Sequence, residues 1–208
     1  MGIVYSERMD KLAMVLATAV ELKTSGVAEW GVGEDLNQSL YGWRGDELAV
    51  LARMTNAMQA KDSEARFVAV SSAAMILRHG WGIDAITMVA EGFVSDDPEG
   101  TKGKSFAKEF ARGNSAVKEA ITISHIEGEE ISFVTKAYSY EVPKRVVWEE
   151  EVFMPGKQKI VGSDGMYPIV LSKALTFEPA EIDEEAEDFY QLMCINMIKK
   201  GFETRSFR

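Results

Sequence analysis

Ile83-Asp84-Ala85-Ile86-Thr87-Met88-Val89-Ala90-Glu91-Gly92-Phe93-Val94 decides the fold. The run is almost wholly apolar and rich in β-branched residues, the signature of a strand buried on both faces. A strand of that kind needs partners on both sides and covering layers above and below. Residues 83–94 are therefore expected at the centre of a sheet.

The segments that follow supply the partners. Val117, Glu119, Ile121, Ile123 and His125 alternate with Lys118, Thr122 and Ser124, a second strand over 117–127. Glu127-Gly128-Glu129 reads as a hairpin turn, followed by a third alternating run around Ile131 to Tyr140. Arg145 to Phe153 is a fourth strand, and Glu149-Glu150-Glu151 suit it to an edge, where charge discourages unwanted pairing. A short helix, Ser105 to Arg112, separates the first two strands. As a crossover it would make strands 83–94 and 117–127 parallel. Residues 169–177 fit strand or helix equally.

Upstream of the central run the texture is helical. Met9, Leu12, Leu16, Ala19 and Lys23 fall on one stripe, from a cap at Ser6 to Gly26. Residues 27–45 read as a glycine- and aromatic-rich loop. Asp46 can cap a second helix carrying Leu48, Leu51, Met54 and Met58, and Asp62 or Ser63 can start a third carrying Phe67, Val70, Ala74 and Leu77. A last helix is expected over 181–200, with Glu181, Asp183, Glu184 and Glu185 at its start and Lys199-Lys200 at its end, matching the helix dipole. The expected fold is α+β: N-terminal helices, a mostly antiparallel sheet of four or five strands, and a C-terminal helix across it. One domain spans 1–208: a helical layer to residue 80, a sheet-rich core over 81–178, and the C-terminal helix over 179–208.

Composition narrows the function. The 208 residues carry 33 acidic and 23 basic side chains, a net charge of −10. That field repels nucleic acid, and no basic cluster offsets it. A single cysteine, Cys194, precludes an internal disulfide and suits a reducing, cytoplasmic setting. The first residues lack the basic and apolar regions of a signal peptide, and no apolar run is long enough for a membrane span.

Few residues invite chemistry. Gly103-Lys104-Ser105 before a helix suggests a phosphate loop, but the glycine required five positions earlier is Pro98. Arg44-Gly45-Asp46 reads as a helix start. With two histidines and one cysteine, a classical zinc site is not available, and no metal or cofactor is expected. Glu91 stands out, because a carboxylate in an apolar strand needs a partner or a raised pKa. In the parallel arrangement Glu91 and His125 would share one end of neighbouring strands, with Glu119 lower down. That trio could bind a metal or act as acid and base; alternatively Glu91 marks the sheet rim and pairs with a cation. Trp30, Tyr41 and Trp43 form the other candidate site. Exposed, they would contact a protein partner; packed down, they would cover the core.

Two segments carry a family resemblance. Ala73 to Val94, ending Val89-Ala90-Glu91-Gly92-Phe93, and Ser115 to Gly128, containing Lys118-Glu119-Ala120, resemble parts of small bacterial and bacteriophage proteins of unknown function. The resemblance implies a compact α+β domain and a phage or mobile-element origin, and no activity.

Two functions remain. The first is a non-enzymatic interaction or regulatory protein that binds another protein, with homo-oligomerisation as an addition. The second is a small metal-assisted hydrolase or ligand-binding domain using Glu91 and His125.

Overall fold

The computed structural model describes residues 3–30, 36, 38–54, 63–97, 99–141, 144–154, 166–176 and 202–206. The elements are α1 (Ile3–Trp30), β1 (Ser39–Arg44), β2 (Glu47–Met54), α2 (Ser63–Trp81), β3 (Ala85–Ser95), α3 (Phe106–Ala111), β4 (Val117–Glu127), β5 (Glu130–Glu141), β6 (Arg145–Met154), α4 (Met166–Thr176) and β7 (Phe202–Ser206). The strands form one sheet in the order β6-β5-β4-β3-β1-β2-β7. Every neighbouring pair is antiparallel.

The fold is α+β, with β3 at the centre of the sheet and β6 at an edge, as expected. Successive residues of β3 face opposite layers. Ala85 and Val89 pack with Leu12, Val15, Leu16, Ala19 and Val27 of α1. Ile86 and Met88 pack with Val70, Ala74 and Leu77 of α2 and Leu171 and Ala174 of α4. The sheet thus lies between α1 on one face and the α2/α4 pair on the other. Burial of this alternating apolar set is the main driving force for the three-layer arrangement.

Several expectations need correction. Among the described residues the sheet has seven strands rather than four or five, because residues 39–54 form a hairpin where a loop and a second helix were expected, and β7 adds to its edge. Gly45-Asp46 is its two-residue turn, and Gly45 has φ +53, which glycine adopts without strain. Leu48, Leu51 and Met54 match helical spacing, but the run 48–54 is apolar on both faces and sits beside a turn. Tertiary pairing overrides the weak periodicity there. A bulge between Gly42 and Trp43 shifts the register of this hairpin.

α1 runs past Gly26 to Trp30. An internal glycine costs about 1 kcal/mol, and Val27, fully buried against the sheet, outweighs it. The stretch 169–177, ambiguous in sequence, is helical as far as Thr176, within α4 (Met166–Thr176). The helix expected over 181–200, the 155–165 loop and Cys194 lie outside the described residues.

The crossover expectation also fails. β3 and β4 pair antiparallel, Ser95 opposite Val117 and Ala85 opposite Glu127. The segment holding α3 leaves and re-enters the sheet at one end, so it is a long hairpin connection. This reversal decides the geometry of the candidate site.

Gly42 marks a close approach within the sheet, opposite Val50 of β2. A Cβ there would lie 2.7 Å from Val50 Cγ1 and 3.1 Å from Ile83 Cγ2. Gly42→Ala is expected to destabilise the fold by about 1–3 kcal/mol through overpacking, measured as a shift in the urea midpoint without a change in slope.

Candidate functional site

Glu91 finds its counter-charge on α1. Lys23 continues the buried stripe of Val15 and Ala19, four residues apart, so the helix that supplies apolar contacts also drives an ammonium into the core. Lys23 Nζ lies 2.6 Å from Glu91 Oε1, with side-chain exposures of 1% and 12%. The Tyr138 hydroxyl of β5 donates to the same oxygen. The Leu36 backbone N–H donates to Oε2 at 2.7 Å. Both carboxylate oxygens are thereby engaged.

Aromatic rings surround the ammonium. Lys23 Nζ is 5.2 Å from the centre of the Tyr138 ring and 5.8 Å from that of Tyr140. Trp148 of β6 packs on Tyr138 at 5.2 Å between ring centres, and its indole N–H donates to Thr24 Oγ1 at 3.1 Å. Cation–π attraction strengthens where water is excluded.

The electrostatics hold this cluster in one protonation state. Burial alone would lower the pKa of Lys23, but hydrogen bonds and charge from Glu91, with a further contribution from Tyr140, raise it above the ordinary lysine value. Burial and then the adjoining Glu91 push the Tyr138 hydroxyl far above the ordinary tyrosine value. Lys23 stays an ammonium and Tyr138 a neutral donor, which makes the cluster a clamp between α1 and the sheet. An ammonium cannot act as a nucleophile, and both Glu91 oxygens are already engaged by donors.

His125 belongs to a different cluster. It stands opposite Thr87 in the β3/β4 pair, whereas Glu91 stands opposite Ile121. All four residues face α1, but His125 is four residues further along the sheet, about 13 Å at 3.3 Å per residue. The expected pairing of Glu91 with His125 is overturned by the antiparallel register. Glu119 is opposite Phe93 in β3 and Tyr138 in β5, so it flanks the Glu91 cluster and not His125.

A relay of hydrogen bonds fixes the histidine ring. Trp43 Nε1 donates to Thr87 Oγ1 at 2.8 Å, and Thr87 Oγ1 lies 2.8 Å from His125 Nδ1. The indole can only donate, so Thr87 Oγ1 accepts from it, and Thr87 and the imidazole share the next hydrogen bond. Nε2 of the ring is buried, with no hydrogen-bond partner among the described residues. Burial, with the charges of Lys11 and Arg8, lowers the His125 pKa to about 3. At neutral pH this imidazole is uncharged and closed off from water.

Among the described residues no group of three or more His, Cys, Asp or Glu side chains is placed to hold a metal. Among the described residues no helix is long and apolar enough to cross a membrane.

The aromatic candidates divide. Tyr41 and Trp43 lie in β1, 8% and 3% exposed, packed in the layer beneath α1. Their expected role as exposed contacts is corrected: alternation along β1 places both on the α1 side. Trp30, at the last turn of α1, is 71% exposed.

Sequence reasoning found Glu91 but missed Lys23, Tyr138 and Thr87. Lys23 had a legible signal, a charge on an otherwise apolar helical stripe. Tyr138 and Thr87 had none, because cross-strand register selects them.

No protein-family model matches the chain, and no curated protein or solved structure matches it either.

Proposed function

We propose that this protein works by binding another protein, without catalysis of its own. The observation that carries the reading is Trp30, 71% exposed at the end of a helix whose inner face is locked to the sheet. Tryptophan is enriched in interface hot spots because it offers a large rigid surface at low entropic cost. A rigidly mounted, solvent-facing indole costs solvation in the free protein and gains most when covered.

The antiparallel register gives no support to a hydrolase or ligand-binding site on Glu91 and His125. The two side chains sit in separate clusters, one an ion pair and the other a neutral buried ring.

Trp30→Ala is expected to leave stability within about 0.5 kcal/mol, as for other exposed positions. The same change should abolish capture of a stoichiometric partner by the full chain from lysate of its natural host, identified by mass spectrometry. Capture that is equal for wild type and Trp30→Ala would contradict the reading.

A further inference from the structure

The basic and acidic residues of α1 are segregated. Its three cations all turn to the sheet. Arg8 pairs with Glu127 and Glu130. Lys11 donates to the Gly45 carbonyl at 2.7 Å and lies 3.2 Å from Asp46. Lys23 pairs with Glu91. The exposed stripe runs through Asp10, Met14, Thr18, Glu21, Leu22 and Glu29, and its charges are all negative.

That stripe is also more apolar than its composition suggests. Met14 is 45% exposed and Leu22 is 50% exposed. Ala13, Ala17 and Ala28 lie between and beyond them. Thr18 Oγ1 donates to the Met14 carbonyl at 3.0 Å, which turns its hydroxyl back onto the helix. A solvent-facing helix surface normally carries charges of both signs at i,i+4 spacing. Here large apolar side chains stand in a field of carboxylates, on a helix about 42 Å long at 1.5 Å per residue.

We infer that the outer face of α1, centred on Met14 and Leu22 and flanked by Asp10 and Glu21, docks a basic amphipathic helix of a partner protein. This deepens the protein-binding reading and rests on it, since it names the partner's chemistry. Apolar anchors at helical spacing accept the apolar stripe of a second helix. The carboxylates steer lysines and arginines flanking that stripe. A second copy of this chain would set like charges against each other across the contact. An anionic membrane would be repelled by the same carboxylates, where interfacial helices carry basic residues.

The test uses the full chain and a helical peptide of about 18 residues built of leucine and lysine, about five turns long, at about 150 mM salt, where exposed charges are screened beyond about 8 Å. Saturable binding is expected, read by the fluorescence anisotropy of a labelled peptide. Leu22→Asp and Glu21→Lys/Asp10→Lys should each weaken it at least about tenfold, equivalent to about 1.4 kcal/mol. Glu99→Lys/Glu150→Lys, which makes the same charge change elsewhere, should weaken it less than about twofold. Equal weakening by both charge variants would overturn the inference, as would a dimer of the free chain broken by Leu22→Asp. A lysate partner that is lost with Trp30→Ala but indifferent to Leu22→Asp would overturn the helix-face inference and leave the protein-binding reading standing. Failure to capture any partner, together with non-saturable peptide binding, would remove both.

Discussion

Replacing Lys23 with methionine is expected to destabilise the protein by about 3–5 kcal/mol, the cost of stranding one charge of a buried pair. Methionine keeps the length of the stem but leaves Glu91 with a full charge, 12% exposed, and the Tyr138 hydroxyl and Leu36 N–H as its remaining partners. Glu91→Gln alone strands the ammonium among Tyr138 and Tyr140. The double variant Lys23→Met/Glu91→Gln has no net charge to strand. Its amide oxygen can still accept from Tyr138 or Leu36. It should therefore be less destabilised than the sum of the single variants by at least about 1 kcal/mol, read from urea unfolding of all four proteins. Additive losses would mean that Lys23 and Glu91 do not act as a pair.

Acid is expected to weaken the fold through His125. Its pKa is about 3 when folded against an ordinary value of 6.5. Between those values the unfolded chain binds a proton that the folded protein refuses. Stability is therefore whole above pH 6.5 and falls as pH drops toward 3. The slope approaches about 1.4 kcal/mol per pH unit in mid-range, up to about 5 kcal/mol over the whole window. Carboxylates elsewhere in the chain titrate in the same range, so the comparison must be differential. His125→Gln keeps an acceptor for Thr87 and removes the titration. Unfolding measured from pH 7 to pH 4 should show the wild type losing stability more steeply than His125→Gln. Parallel curves would show that the ring titrates normally.

The sequence was most legible where one face or both faces were apolar. β3 was readable as a central strand, β4 by its alternation, and the β4/β5 hairpin by Gly128, which has φ +57. Edge placement of β6 followed from its run of glutamates. The N-terminal hairpin was misread because Leu48, Leu51 and Met54 satisfy two periods at once, and the Gly45-Asp46 turn between apolar runs was the better guide.

The site was legible in one residue of each cluster. Glu91 announced itself as a carboxylate in an apolar strand, and His125 by falling on the inward face of β4. Whether they met depended on strand direction, which a six-residue helix between them does not determine. The long connection turned back instead of crossing over, and the pair became two separate clusters. Trp43, expected as a candidate contact residue, became a buried donor to Thr87, which in turn bonds His125.

The outer face of α1 carries the central claim, and site-specific photo-crosslinking tests it most directly. A benzophenone-bearing residue would replace Met14 or Leu22 on α1, or Val68 on α2, which is 60% exposed on the opposite side of the sheet. Irradiation of the full chain in host lysate should give one partner adduct from positions 14 and 22 and none from 68, with the crosslinked partner peptide rich in lysine or arginine at helical spacing. Adducts from 68 with none from 14 or 22, or an acidic crosslinked segment, would contradict the account.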